Sequence, residues 1–84
     1  MKLIHFKKHS CVSVRDYNLA RENFNSPVAI NPASVVAVFP RRSTKGDTSD
    51  CVISSETWCE VYTITGRVWG VDGTYEEVIA KLSQ

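Results

Sequence analysis

The sequence predicts an α+β fold, in which a small antiparallel sheet of about four or five strands carries a carboxy-terminal helix on one face. Two observations lead to this prediction. Residues 60–71 have the pattern of a tight β-hairpin, and residues 74–82 have that of a capped amphipathic helix. With 84 residues, the chain is expected to form one domain, residues 1–84, around a single core.

The hairpin prediction rests on Thr65-Gly66, because glycine tolerates the positive φ that a tight two-residue turn requires. Pairing outward from this turn sets Tyr62 against Trp69 and Val61 against Gly70. A cross-strand pair of two large rings adds about 0.5–1 kcal/mol beyond burial. The pair would also help to specify the register, because a shift of one residue separates the rings.

The carboxy-terminal helix is predicted to begin at a capping box, Thr74-Tyr-Glu-Glu77. In this motif the threonine hydroxyl accepts a backbone N–H from the first turn, and the glutamate accepts the N–H of the cap residue. Four apolar residues recur at helical spacing and form the face that is expected to pack on the sheet: Tyr75, Val78, Ile79 and Leu82.

Four shorter segments precede the hairpin. Lys2–Phe6 and Ser10–Val14 alternate and are either two strands or one interrupted strand. Asp16–Phe24 reads equally as a short helix capped by Asp16 or as an ordered loop. Pro27–Ile30 is expected to be a short strand, followed by an Asn-Pro turn.

Val35–Phe39 is a continuous apolar run, which is typical of a strand that is central or covered on both faces. Pro40 is expected to end it. Residues 40–50 contain no large apolar side chain and are predicted to form a solvated loop, and Cys51–Ser54 resumes as a strand.

Charge and hydropathy exclude several classes of protein. Ten basic and nine acidic residues give a net charge of +1, so no global field favours nucleic acid or anionic lipid. The longest apolar run, Val35–Phe39, is far shorter than the roughly 20 residues of a membrane span. The amino-terminal segment returns to charged residues too soon for a secretory signal. We expect a cytoplasmic protein that does not contact membranes.

The three cysteines are an odd number without a paired framework. Cys11 and Cys59 lie in alternating segments and are predicted to be buried, reduced thiols. The alternative is a metal site built from His5, His9 and Cys11 with Cys51 or Cys59. On a strand, residues 5 and 9 are about 13 Å apart, too far to share a metal. No metal and no cofactor are predicted.

No catalytic constellation is visible in the sequence. The chain lacks a glycine-rich phosphate loop, a G-x-S-x-G elbow and an H-E-x-x-H motif. Its cysteines and serines have no recognisable nucleophile signature, and no catalytic residue can be named. We therefore expect a protein that is not an enzyme, with a small enzyme or a metal protein as the third choice.

Two sets of residues are candidates for partner contact. The first would bind a protein or a second copy of the chain, because Trp and Arg are enriched at interface hot spots; it consists of Arg41, Arg42, Lys45, Asp47, Trp58 and Trp69. The second would bind phosphates if the loop lies near the first strand; it consists of Lys7, Lys8, Arg41, Arg42 and Lys45. The residue pattern favours a plainer interpretation of both sets, in which the basic residues are a solvated strand edge and loop and both tryptophans belong to the core. The opposite parity of Trp58 and Trp69 would still allow one of them to face outward.

The segments Ile30–Val38, Tyr62–Val71 and Thr74–Val78 occur in an order that resembles the small FlbD-type flagellar regulatory proteins. The chain is also similar to uncharacterised phage and bacterial proteins of the same layout. The resemblance covers roughly residues 28–82 and departs in the 40–50 loop and the amino-terminal segment. It implies a β-rich domain with a carboxy-terminal helix that acts by binding, without implying a flagellar role.

The sequence therefore favours a small regulatory module that acts by protein–protein interaction, and the resemblance to phage proteins makes a phage origin one of the hypotheses. A nucleic-acid-binding regulator is the second hypothesis, and a homodimer through an exposed strand edge is a further possibility.

Overall fold

The computed structural model describes residues 2–43 and 50–84. Within them the chain forms seven strands and two α-helices. The strands are β1 (Ile4–Lys7), β2 (Cys11–Ser13), β3 (Pro27–Ile30), β4 (Val35–Arg42), β5 (Cys51–Ile53), β6 (Thr57–Thr63) and β7 (Val68–Asp72), and the helices are α1 (Val14–Ala20) and α2 (Tyr75–Leu82). The candidate residues Lys45 and Asp47 lie outside the described residues.

The strands form three antiparallel sheets, which are β1–β3, β2–β5 and β4–β6–β7. The first and third sheets adjoin, because Lys8 bridges to Val71 and the His9 N–H donates to the Gly70 carbonyl at 2.7 Å. The predicted α+β class is confirmed. The described strands, however, number seven rather than four or five and are divided among three sheets.

The core lies between the inner face of the β4–β6–β7 sheet, the β1–β3 sheet and α2. Its buried apolar residues are Ile4, Phe6, Ile30, Cys59, Val61, Val71 and Val78. Lys81 ties α2 to β1, because its ammonium donates to the His5 carbonyl at 2.6 Å and lies 4.7 Å from the centre of the Phe6 ring. The carboxy-terminal helix thus packs on one face of the β4–β6–β7 sheet, as predicted.

The capping box of α2 is confirmed, with the Glu77 N–H donating to the Thr74 hydroxyl and the Thr74 N–H donating to Glu77 Oε1. The predicted packing face needs one correction. Val78 is buried and Leu82 packs against the core, but Ile79 is only half-buried, and Tyr75, in the first turn, is 42% exposed and lines an open cleft. No helix in the described residues is long and apolar enough to cross a membrane.

The amino-terminal segments form two strands, β1 and β2, which belong to different sheets. The uncertain segment after them is helical over Val14–Ala20 and continues as a 3₁₀ turn over Arg21–Asn23. Ser13, not Asp16, caps α1, because the Ser13 hydroxyl accepts the Asp16 N–H at 3.1 Å.

The strand β4 corrects two predictions. It lies at the edge of its sheet, where Val36 is 61% exposed, and it continues through Pro40 to Arg42. The Ser43 N–H donates to the Glu56 carbonyl, and hydrogen-bonded pairs in an antiparallel ladder recur at every second residue. The position of Pro40 therefore faces away from β6, where a missing N–H costs no ladder bond.

The hairpin register also differs from the prediction by one residue. Tyr62 pairs with Val68, and Trp69 pairs with Val61. The turn has three residues, since the Thr63 N–H bonds to the Arg67 carbonyl and Gly66 adopts φ +86° at the third loop position. Tyr62 and Trp69 consequently lie on opposite faces of the sheet and do not form the predicted pair.

Replacing Glu77 with alanine should make stability less dependent on pH in the acidic range. The backbone and hydroxyl hydrogen bonds with Thr74 lower the pKa of Glu77 below its ordinary value of 4.5. The charged carboxylate thus stabilises the fold above pH 4.5, and this contribution disappears as the pH falls through the lowered pKa. Thermal unfolding followed by circular dichroism over a pH series measures the effect. Glu76→Ala, in the same first turn, is the control, and equal pH profiles for the two variants would contradict the prediction.

Candidate functional site

The three-stranded sheet has two faces of different character. The inner face carries Val61, Trp69 and Val71 toward the core. The opposite face, which we name the outer face, receives the alternate side chains of each strand: Ala37, Phe39 and Arg41 from β4, Trp58, Glu60 and Tyr62 from β6, and Val68, Gly70 and Asp72 from β7. One half of the outer face is bare and the other half is covered by the segment that contains His9.

The bare half is an apolar patch, defined by Ala37, Phe39, Tyr62 and Val68. Tyr62 pairs with Ala37 on one side and Val68 on the other, and its ring meets the Phe39 ring edge-on with centroids 5.3 Å apart. Phe39 is 48% exposed and Val68 is 41% exposed. Contiguous exposed aromatic and aliphatic side chains of this kind are typical of a contact surface.

A charged pair separates the apolar patch from the covered half. The Arg41 guanidinium donates through Nε to Glu60 Oε1, and Glu60 pairs with Phe39 across the ladder. The Arg41 side chain is half-exposed, so solvent weakens the attraction. The apolar patch thus has a polar border beside its aromatic centre, which is the arrangement found in protein–protein interfaces.

The covered half is closed by a stack of two rings. The His9 imidazole lies parallel to the Trp58 indole, with centroids 4.3 Å apart and planes 1° apart. Gly70 lies beneath the stack, and a Cβ there would approach Trp58 Cζ3 to 3.2 Å and His9 Cβ to 3.5 Å. A glycine at this position lets the amino-terminal segment approach the sheet closely.

Asp72 holds this segment in place through its carboxylate. Oδ1 accepts from His9 Nδ1 at 2.8 Å and from the Ser54 hydroxyl at 2.9 Å. With its amide nitrogen turned toward the acceptors, Asn25 donates to Oδ2 at 3.2 Å and to the Lys8 carbonyl at 2.8 Å. The side chains of His9 and Asp72 are only 7% and 13% exposed. The carboxylate therefore binds three donors from three separate parts of the chain.

The Asp72 cluster, consisting of Asp72, His9, Ser54 and Asn25, contains a serine, a histidine and an aspartate but lacks the relay of a hydrolase. The Ser54 hydroxyl donates to Asp72 and accepts the Ser10 N–H at 2.8 Å. His9 Nδ1 must carry a proton to donate to the same carboxylate oxygen, so it does not accept the Ser54 proton. The arrangement positions side chains without activating a nucleophile.

A cleft of about 570 Å³ lies where the ends of β4 and β6 meet the start of α2. It contains three of the predicted contact residues, Arg41, Arg42 and Trp58, together with Tyr75. The Trp58 indole N–H donates to the Ser43 hydroxyl at 3.2 Å. Arg41 borders both the cleft and the apolar patch, while Arg42 and Tyr75 line the cleft from the side of the sheet that carries α2.

The other predicted contact residues lie elsewhere. Trp69 belongs to the inner face, and the Arg67 guanidinium covers its ring at 4.2 Å. Lys7 ends β1 and Lys8 follows it, with β7 and β6 between these lysines and the arginines of β4. Lys7 instead lines a second cleft with Lys81, Asp72 and Glu77, where acidic and basic groups are balanced. The single basic patch expected for phosphate binding is thus not assembled from the described residues.

The prediction of buried thiols is right for Cys59 and wrong for Cys11. Cys59 is fully buried, and burial together with the charge of Glu76 raises the pKa of its thiol. Cys11 is exposed and Cys51 is half-buried, because the β2–β5 sheet is outside the core. Within residues 2–43 and 50–84, no three His, Cys, Asp or Glu side chains are grouped so that they could hold a metal ion.

Sequence reasoning missed the Asp72 cluster, although one signal pointed to it. Gly70 interrupts a strand of large residues, and an isolated glycine inside a strand indicates a close backbone approach. The partners of Asp72 are 18 to 63 residues away along the chain, so no local pattern could identify them.

Comparison with known proteins gives no relative: no protein-family model, no curated protein and no solved structure matches this chain. The resemblance to FlbD-type regulators therefore stays a hypothesis. The site has to be interpreted from its own geometry.

Replacing Asp72 with alanine should destabilise the protein by about 2–3 kcal/mol, because the change removes charge-assisted hydrogen bonds and leaves buried donors without an acceptor. Urea unfolding followed by circular dichroism measures the loss. The control is Glu22→Ala, which removes an exposed carboxylate and should change stability by no more than about 0.5 kcal/mol. Equal stability of the two variants would show that the Asp72 cluster does not hold the sheets together.

Proposed function

We propose that the protein is a small, non-enzymatic regulatory module that binds another protein through the apolar patch of its outer face. The exposed Phe39–Tyr62 pair is the observation that carries the proposal. Its rings meet at 5.3 Å, and Phe39 remains 48% exposed. Burial of a large aromatic side chain on binding contributes more to the free energy of a complex than burial of a polar surface of the same size.

The surroundings of the apolar patch support a protein partner. Arg41 connects the apolar patch with the neighbouring cleft, which Arg42, Trp58 and Tyr75 also line, and Trp, Tyr and Arg are the residue types that contribute most at interfaces. A partner that covers Phe39 would also shield the Arg41–Glu60 pair from water and strengthen it.

The edge of β4 is less suited to binding than its face. A bulge between Val35 and Ala37 interrupts the ladder, and Pro40 removes one donor from the free edge. Both features oppose the addition of another strand. The contact is therefore expected to be made by side chains of the outer face, either with another protein or with a second copy of this chain.

A regulatory role agrees with the resemblance to FlbD-type and phage proteins, which implies a domain that acts by binding. Phage origin and a cytoplasmic location belong to this proposal and rest on the same resemblance and on the composition.

The proposal is tested with two variants that each place a lysine at an exposed apolar position. Phe39→Lys changes the apolar patch, and Leu19→Lys changes α1, where Leu19 is 80% exposed and contributes nothing to the outer face. The wild type is used to capture binding proteins from a lysate of the source cell, and these are identified and purified. Each is then titrated against the wild type, Phe39→Lys and Leu19→Lys. We expect Phe39→Lys to weaken binding about tenfold or more and Leu19→Lys to leave it unchanged.

Light scattering of the wild type and both variants at several concentrations tests whether the partner is a second copy of the chain. A dimer that Phe39→Lys dissociates and Leu19→Lys does not would assign the apolar patch to self-association. If Phe39→Lys binds the purified partner as tightly as the wild type, or if the wild type binds neither a partner nor itself, the proposed function is wrong.

A further inference from the structure

The two-stranded sheet β2–β5 carries two of the three cysteines of the chain. Cys11 pairs with Ile53, and Ser13 pairs with Cys51. Side chains of alternate residues on a strand share a face, as do directly opposed residues of an antiparallel pair. Cys11 and Cys51 are therefore diagonal neighbours on one face of this sheet.

Cys51 lies close enough to Cys11 to affect the ionisation of its thiol. Partial desolvation raises the pKa of the Cys11 thiol, and the charge of Cys51 and a side-chain hydrogen bond with Cys51 raise it further. Diagonal neighbours have Cα atoms about 7–8 Å apart in a regular ladder, whereas a disulfide needs up to about 6.8 Å. A shift of about 1 Å closes this difference, and two-stranded ribbons twist more strongly than larger sheets.

Access to reagents differs among the three cysteines. Cys11 is exposed and Cys51 is half-buried, while Cys59 is fully buried in the core. An external oxidant can therefore reach Cys11 first, with Cys51 as its neighbour. Cys59 lies on the inner face of β6, beneath α2, and cannot take part without unfolding.

We propose that Cys11 and Cys51 form a reversible disulfide when the protein meets a low-molecular-weight disulfide such as oxidised glutathione. The Cys11 thiolate attacks glutathione disulfide, forms a mixed disulfide and releases one glutathione thiol. The Cys51 thiolate then attacks the Cys11 sulfur and releases the second glutathione. Two protein thiols are oxidised to one disulfide, and one glutathione disulfide is reduced to two thiols.

The disulfide would fasten two distant parts of the chain. It closes a loop of about 40 residues, which restricts the unfolded chain. It would also reinforce the bond from the Val14 N–H to the Asp50 carbonyl, which joins the start of α1 to the residue before β5. Oxidation therefore stabilises the β2–β5 sheet, which contributes no residue to the core.

The test uses the reduced full-length chain and oxidised glutathione as the only oxidant. After incubation the protein is acidified, unfolded and alkylated, and its mass and its peptides are analysed. We expect a loss of two hydrogen atoms, a single alkylated cysteine at Cys59, and a peptide pair joined through Cys11 and Cys51. The oxidised protein should unfold about 5 °C or more above the reduced protein.

Variants separate the two steps. Cys51→Ser should retain glutathione on Cys11, while Cys59→Ser, the control, should form the same disulfide as the wild type. If Cys59→Ser does not fold, the peptide map of the wild type decides alone. Three alkylated cysteines, a lasting glutathione adduct on the wild type, a disulfide that includes Cys59, or an unfolding temperature that does not rise would each overturn the proposal.

Discussion

The carboxylate of Asp72 is the interaction on which the arrangement of the three sheets depends. Asp72 ends β7, His9 lies between β1 and β2 in the chain, Asn25 precedes β3, and Ser54 follows β5. Each sheet taken alone has two or three strands, which is too few to be stable in water without further packing. The described core contains seven buried apolar residues, so the hydrophobic effect has little area to act on. So small a core does not by itself fix how the three sheets are arranged. The buried carboxylate of Asp72, with its three donors, fixes this arrangement.

The same interaction divides the outer face of the main sheet. Because Asp72 fixes His9, the imidazole stacks on Trp58 and covers that end of the sheet. The covering segment stops there, and Phe39, Tyr62 and Val68 stay bare beyond the Arg41–Glu60 pair. The His9 imidazole and the Asp72 carboxylate are thus used for structure at this end of the sheet, and the exposed part of the outer face is mostly apolar. This division is the basis of the proposed role in recognition.

Local signals in the sequence were sufficient for the elements and insufficient for their assembly. The capping box at Thr74 and the strand Pro27–Ile30 were predicted correctly, because each depends on residues within a few positions. The hairpin register was predicted one residue out. The glycine at position 66 closes a three-residue loop rather than a two-residue turn, and both choices satisfy its φ of +86°. Of the candidate contact residues, Arg41, Arg42 and Trp58 meet in one cleft. The Asp72 cluster and the exposure of Cys11 depend on which sheets adjoin, and no local pattern encodes that.

The continuation of β4 through Pro40 shows how the edge and the face of one strand acquire different roles. A proline that faces a neighbouring strand would break the ladder, but here the missing N–H lies on the free edge. The bulge between Val35 and Ala37 disrupts the other end of that edge. A second chain that adds to β4 would find few regularly spaced donors and acceptors between these two points. The outer face of the same strand bears Phe39, which is exposed. The hydrogen bonds of the strand ladder do not require an aromatic side chain at this position. An edge that resists pairing beside a face that exposes an aromatic side chain favours recognition of a partner by side chains, with the backbone left out of the contact.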